Sequence, residues 1–335
     1  MNFKVFSLAA LLLAGCSKDP ADVEGGGGET TNWGDQPALP VVNGEAAFTL
    51  NAADDYVNVM GTTNPRLPNF PTLKVKPGIV RGYVADLSGK PLEGAYIGVR
   101  STAVGGSYSG ASDETDANGY YEITIPWGAT DFYAAGYTID YGEGRAVMSL
   151  HAADGKLGSF PSVDGLVKNF VLLSYGVYNK DLVSQKPRDQ TNYAGGCLYI
   201  SYNVGDPTSI FDPPNYLPEN SEIQVTLTPD GPGLYGTSKK FMINKKISFQ
   251  NSSVLIMNIP VGRYTLSAKM KDGTSLLMKA VGRYAGIYPY FGLIPAEATG
   301  SAKLLFTPDT QSGNSLTLPN RGNWGAISIK VDRPQ

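Results

Sequence analysis

The sequence predicts an all-β protein: two antiparallel β-sandwich domains carried behind a flexible N-terminal tether. Two observations set the β class. Forty glycines and 23 prolines punctuate the 335 residues, and the runs between them are short, β-branched and aromatic, as strands bounded by turns require. No stretch of about a dozen residues beyond the N-terminal leader carries the i, i+3, i+4, i+7 apolar spacing of an amphipathic helix. Length sets the division in two, since one sandwich uses about 100 residues. The clearest polar break falls at residues 179–193.

Residues 1–15 pair one positive charge, Lys4, with an apolar run over residues 5–14 that ends in Ala14 and Gly15 before Cys16. That is the layout of a secretory signal. The run is about half of the roughly 20 residues a membrane-crossing helix needs, so removal is expected rather than insertion. Leu13, Ala14, Gly15 and Cys16 resemble the lipobox of bacterial lipoproteins, which implies a diacylglycerol on the thiol of Cys16 and an acylated new N-terminus. Two or three acyl chains hold a protein on a bilayer, because each buried methylene contributes about 0.8 kcal/mol. Residues 17–28 are acidic and then Gly-rich, and resemble the surface-export signal of Bacteroidota lipoproteins. That resemblance implies the cell outer membrane as partner and address, with the chain facing outward. Residues 16–74 are read as tether, with residues 46–51 as a candidate strand within it.

Residues 75–178 form the first expected sandwich. Residues 79–86 alternate as a strand, residues 87–90 turn around Ser88 and Gly89, and residues 95–100 are the next strand. A second pair brackets Asp116, Ala117, Asn118 and Gly119, where Asn118 and Gly119 tolerate positive φ, and leads into residues 120–125. Pro126, Trp127 and Gly128 end that strand, and residues 167–173 close the domain. This half resembles the carboxypeptidase regulatory-like domain, a transthyretin-like sandwich. The resemblance rests on Gly82 and Val84, then Gly89, Pro91, Leu92, Gly94 and Ala95, then Thr115, Asp116, Gly119 and Tyr121, then Pro126 and Gly128. The family's pattern enters a Tyr-containing strand directly after that last glycine, where this chain has Ala129, Thr130, Asp131 and Phe132. The domain is an accessory fold in peptidases, so the resemblance implies a fold and no peptidase activity.

After the expected linker at residues 179–193 comes a second sandwich, residues 194–335. Strands are expected at residues 222–228, 241–247, 254–259, 264–270, 275–280, 302–306 and 326–331, a number that suits a transthyretin-like or immunoglobulin-like sandwich. Residues 254–268 resemble a strand edge of the same superfamily.

Residues able to do chemistry are few. The one histidine, His151, would have to be the base of any Ser-His-Asp or Cys-His hydrolase. No nucleophile elbow or papain-like cysteine segment accompanies it. With Cys16 lipidated only Cys197 remains, which leaves no intramolecular disulfide, and a cysteine in an apolar run reads as a small buried hydrophobe. One histidine and one thiol do not make a zinc set. Glu114, Asp116 and Asn118 before Gly119 imitate the start of a calcium loop, but Ile125 stands at the twelfth position, where an acidic ligand belongs. A hairpin turn is expected there instead. No catalytic residue, metal or cofactor is assigned. The balance of 27 basic and 30 acidic residues, spread without long runs, argues against nucleic acid as a partner.

The suggestive residues are aromatic. Tyr284, Tyr288, Tyr290 and Phe291 crowd around Pro289, and Trp127 stands at a strand end. Rings with a polar handle suit sugar or peptide surfaces; the alternative is that they cap the ends of their sandwiches. The reading that follows is a non-catalytic surface lipoprotein that binds a glycan or a surface protein, or spaces such a partner from the membrane, with Trp127, Tyr284, Tyr288 and Tyr290 as candidate ligand residues. Its rivals are a structural or adhesive assembly subunit that pairs through strand edges and a carbohydrate-active enzyme built on two carboxylates.

Overall fold

A computed structural model describes residues 32–103, 105–282, 285, 287, 289–309 and 315–334. The leader, Cys16, Tyr284 and Tyr288 lie outside the described residues. No helix among the described residues is long and apolar enough to cross a membrane. The all-β class is as predicted.

Residues 33–74, read from composition as tether, are built into the fold and carry two strands, β1 (Glu45–Leu50) and β2 (Tyr56–Asn58). Apolar docking outweighs their Pro- and Asn-rich composition. The Trp33 ring lies 5.3 Å from that of Tyr83 and 5.6 Å from that of Phe70. The Gln36 amide ties the segment down further, bonding the carbonyls of Trp33 and Asn69.

The first half is one nine-stranded sheet of β3 (Ile79–Ala85), β4 (Tyr96–Thr102), β5 (Tyr108–Glu114), β6 (Tyr120–Thr124), β7 (Ala129–Tyr141), β8 (Gly144–Ala152), β9 (Phe160–Pro161), β10 (Leu166–Val167) and β11 (Phe170–Leu172). β6 pairs with β3, β3 runs parallel to β11, and β8, β7, β4 and β5 follow in antiparallel order. The sheet curls until β5 returns beside β6, and its inner face buries Val80, Ile97, Tyr121, Phe132, Met148 and Phe170. Turn chemistry holds the strand ends: Asp86 Oδ1 accepts from the Ser88 and Lys90 N–H groups at 2.8 and 3.0 Å. The Thr115 hydroxyl accepts from Ala95 N and donates to Leu92 O. Ala129 to Phe132 are themselves the start of β7, whose hairpin with β8 has no counterpart among the strands expected from sequence.

The second half contributes β12 (Gly196–Ser201), β13 (Val204–Gly205), β14 (Leu217–Pro218), β15 (Glu222–Pro229), β16 (Lys240–Lys246), β17 (Ser253–Ile259), β18 (Arg263–Met270), β19 (Leu277–Val281), β20 (Gly292–Ile294), β21 (Glu297–Thr299), β22 (Ser301–Leu305), β23 (Thr307–Pro308), β24 (Trp324–Gly325) and β25 (Ile327–Asp332). Two six-stranded sheets result, ordered β1-β16-β15-β18-β22-β20 and β2-β17-β12-β25-β19-β21. β1 lies parallel to β16 with Phe48 opposite Ile243, and β2 lies parallel to β17 with Val57 opposite Ile256. Residues 45–58 thus give each sheet an edge strand before the first half of the chain has begun.

Alternation builds this core. Ile223, Val225 and Leu227 of β15 share an apolar cluster with Val254 and Ile256 of β17. The opposite face of β17, Leu255 and Met257, is buried too, against Val177, Tyr193 and Cys197. Lys245 is wholly buried, and its ammonium donates to Asn51 O at 2.6 Å and Ala52 O at 2.8 Å. A buried cation needs such partners, and these fasten the turn between β1 and β2 to the sheet.

The described residues from Trp33 onward form one compact unit. Residues 179–193 carry α1 (Asp181–Gln185) and a 3-10 turn, and the Asn192 side chain bonds Asn179 N and O at 2.9 and 2.8 Å. They form a loop pinched shut at its neck. Several groups join the halves: Ser149, Asn320 and Asn323 tie β8 to residues 318–323, and two buried side chains do so elsewhere. The Tyr141 hydroxyl accepts from Phe306 N at 2.9 Å and donates to Gly262 O at 2.8 Å. Asn258, buried in β17 at φ 60°, accepts on Oδ1 from Gly176 N at 2.8 Å and donates from Nδ2 to Gly61 O at 3.1 Å. Asn258→Ala leaves both groups unpaired and keeps a side chain in a left-handed conformation, so we expect it to lower unfolding stability by about 2–4 kcal/mol. In urea titrations Asn258→Gly should recover only the backbone share of that loss, and equal losses for the two variants would refute this role.

Candidate functional site

Trp127 stands where β6 gives way to β7. Pro126 cannot extend the ladder, and Gly128 adopts φ 139°, where a Cβ would lie 2.4 Å from Thr102 O. The corner is fastened from both sides: Gly128 N donates to Ser162 Oγ at 3.0 Å, and Ser162 N donates to Gly128 O at 2.9 Å. On this rigid corner the Trp127 side chain is 68% exposed. It borders a groove of about 530 Å³ lined by Thr102, Ala129, Ser159, Phe160, Pro161 and Val163. Phe160 packs on Phe132 at 6.2 Å, and the Ser159 hydroxyl donates to Asp131 Oδ1, so the floor is held in place. Nothing in the spacing of residues 159–163 marks them as partners of Trp127, because β9 has two residues and cannot show alternation. The Phe-Pro pair within β9 is the one local signal of an irregular apolar edge.

The second aromatic candidate lies elsewhere. Tyr290 is 50% exposed, whereas its neighbour Phe291 is buried and stacks on Tyr141 with 6.0 Å between centroids and 12° between planes. Beside them is a pocket of about 220 Å³ lined by Val281, Pro289, Phe291, Leu293, Ile294 and Ile327. Phe291 thus packs on the strand end at Tyr141 and beside Gly144, and Tyr290, between Pro289 and Phe291 in sequence, is left half exposed. Trp127 precedes β7 and Tyr141 ends it, and thirteen residues of strand span roughly 40 Å. The two aromatic groups are separate sites.

The remaining candidates are buried or used up in structure. The carboxylate of Asp116 accepts from the N–H groups of Asn118 and Tyr120, each at 2.9 Å, and Gly119 N closes on Asp116 O at 2.8 Å. This is a tight turn whose carboxylate is committed to the backbone, but not the hairpin expected from sequence, because β5 goes on to pair with β4 and β6 with β3. Among the described residues no group of three or more His, Cys, Asp or Glu side chains could hold a metal ion. Cys197 is buried, its thiol donates to Gln190 Oε1 at 3.3 Å, and burial pushes its pKa up to about 12. It is a thiol at neutral pH, not the reactive thiolate.

His151 is buried on β8 with its ring 5.7 Å from that of Tyr178, and burial pushes its pKa down to about 4 from 6.5. Between those values the unfolded chain takes up a proton that the folded chain refuses. Stability should therefore fall by about 3 kcal/mol as pH drops from about 6.5 to about 4. His151→Phe should lack this component, measured as the difference between parent and variant in urea denaturation at pH 6.5, 5.5 and 4.5. A constant difference across that series would overturn it.

No protein family matches the chain, and no curated protein matches it. Among solved structures, the streptococcal ancillary pilin aligns at 12% identity and a TM-score of 0.21, over 77% of this chain and 62% of the pilin. The chain thus spans less than two thirds of that protein's length, and a likeness of this size carries no argument about fold or function.

Proposed function

We propose that this chain is a non-catalytic binding module, held on the outer membrane by acyl chains at Cys16, whose Trp127 groove takes a sugar ring of a surface glycan. The observation that carries the reading is the fastened corner itself. An exposed indole on a rigid backbone loses little freedom when a ring stacks on it, and its face is matched to the apolar face of a pyranose. Thr102 and Ser159 line the same groove; the first has a hydroxyl that can donate or accept and the second, its proton given to Asp131, one that can accept, and a few such groups fix a ligand's orientation. The lipobox-like Cys16 and the acidic, Gly-rich residues after it support the address, since an anchored receptor meets polysaccharide outside the cell. Tyr290, exposed between two residues that line a separate pocket, remains a second contact candidate and is not needed for this one.

The mature chain should be retained by at least one polysaccharide of a broad panel in affinity electrophoresis. Trp127→Ala should weaken that retention roughly tenfold, in line with the loss of one aromatic platform, and Trp127→Phe should keep part of it. No retention across the panel would sink the sugar reading, and equal retention by Trp127→Ala would sink the site. Mass spectrometry of membrane-extracted protein should find residue 16 acylated as the new N-terminus; an unmodified cysteine would remove the anchor.

A further inference from the structure

β5 and β6 are consecutive strands that do not pair with each other. β5 bonds only to β4 and β6 only to β3. Near their connecting turn they are bridged by a side chain, Asp113 Oδ2 accepting from Glu122 N at 3.1 Å. Towards the other end they run free, Tyr108 beginning one arm and Thr124 leading to Trp127 on the other.

The ladder phase tells which backbone groups face this opening. Ala103 N bonds Ser107 O and Thr115 N bonds Ala95 O, so in an antiparallel pair Ser109, Ala111 and Asp113 bond to β4, while the N–H and C=O groups of Tyr108, Gly110 and Ser112 point away from it. These three residues are exposed, and no hydrogen bond among the described residues reaches their outward main-chain groups. On β6 the same reasoning, from Val84 N to Gly119 O and Ile125 N to Gly78 O, turns Tyr120, Glu122 and Thr124 outward. The N–H groups of Tyr120 and Glu122 are met by the Asp116 and Asp113 carboxylates, which leaves the Thr124 end open. Unpaired edges are usually shielded by a charge at mid-strand, a proline, a bulge or short length. Of the outer strands, β2, β20 and β21 have three residues each and β1 has six, led by the charged Glu45, whereas β5 has seven, regular in register, with the uncharged Tyr-Ser-Gly-Ala-Ser in the open part.

We propose that this cleft receives an extended segment of a partner polypeptide, which adds a strand along the outer edge of β5. Charge selects the kind of segment. Asp113, Glu114 and Asp116 gather at the closed end, and none forms an ion pair among the described residues. The open end displays Tyr108, 67% exposed, with the Arg100 guanidinium over its ring at 5.4 Å. The fitting segment is therefore basic at its leading end and alternates small apolar and hydroxyl side chains behind it. Main-chain bonds supply the affinity of such strand addition, and the flanking side chains supply its selectivity.

Gly110 offers a clean test. Its N–H points outward, and a Cβ there would meet only ordinary contacts, Val99 O at 3.7 Å and Tyr133 Cε1 at 3.9 Å. Proline is tolerated where a strand's N–H faces solvent, so Gly110→Pro removes one outward donor and leaves the β4 ladder intact. The probe is a fluorescein-labelled peptide, Lys-Arg-Thr-Val-Thr-Val-Thr-Val-Thr, read by fluorescence polarisation against the full mature chain. Saturable binding should weaken at least tenfold in Gly110→Pro and several-fold in Glu114→Lys. Tyr108→Pro, at the first position of the strand, serves if Gly110→Pro melts early. Polysaccharide retention should be unchanged in Gly110→Pro, which separates this cleft from the Trp127 groove. Absent binding, or binding indifferent to both prolines, would overturn the proposal. So would concentration-dependent dimers of the parent chain that Gly110→Pro abolishes, because the occupant would then be a second copy.

Discussion

The architecture depends on one buried amide. Asn258 holds the chain where it leaves the second sandwich at Gly61 and where it returns at Gly176, and its Nδ2 also donates to Asn58 Oδ1 at 3.1 Å. An amide has the donors and acceptor to serve both segments at once, which no apolar residue of its size could do. The left-handed backbone of Asn258 is among the few non-glycine conformations that asparagine tolerates. With these segments fixed, β1 and β2 can lie parallel to β16 and β17, and Lys245 can find its carbonyls. The second sandwich is therefore discontinuous in sequence, and its closure relies on contacts between residues nearly two hundred positions apart.

Much of this was visible in the residues, for a physical reason. β15, β16, β17 and β18 lie within one residue of the expected boundaries because one face of each is buried and the other is not, or because β-branched residues fill both. The pairing of β1 was not visible. A parallel pair carries no hairpin turn to announce it, and its partner lies far along the chain. The β7–β8 hairpin escaped for the opposite reason: β8 is buried almost throughout, so its sequence does not alternate. The N-terminal segment was misread because composition reports the average polarity of a stretch, whereas two rings, Trp33 and Phe70, decide where it docks. Trp127 was legible as an exposed corner, but the groove beside it was not, since its other wall comes from residues 159–163. Phe291 and Tyr290 show the limit from the other side, adjacent rings of which one is buried and one is half exposed.

The polar side chains of this protein are spent mostly on geometry. Asp86, Asp116, Asp189, Asp206 and Asp272 each accept an N–H two residues ahead, and at Ser88, Thr191 and Thr208 the hydroxyl joins in. Such Asx turns let a chain rich in short strands change direction without leaving backbone groups unpaired. Burial meanwhile keeps His151 unprotonated and Cys197 protonated at neutral pH. What the surface presents is shape and edges: an indole above a groove, and a strand with bare main-chain groups beside it.

The position of Asn258 also makes the first half an insertion within the second. Residues 62–175 begin and end at the same side chain, and the frame around them meets them both at these stapled feet and along the β7–β8 hairpin, where Ala135 N donates to Thr317 O and Ala152 N to Asn320 Oδ1. An insertion held in this way is free to change at its outer strand β5, whereas β7 and β8 must keep their bonds to residues 317–323 as well as the Tyr141 hydroxyl that meets Phe306 and Gly262. Change is thereby channelled to the rim of the inserted half, while the hairpin that grips the frame stays constrained.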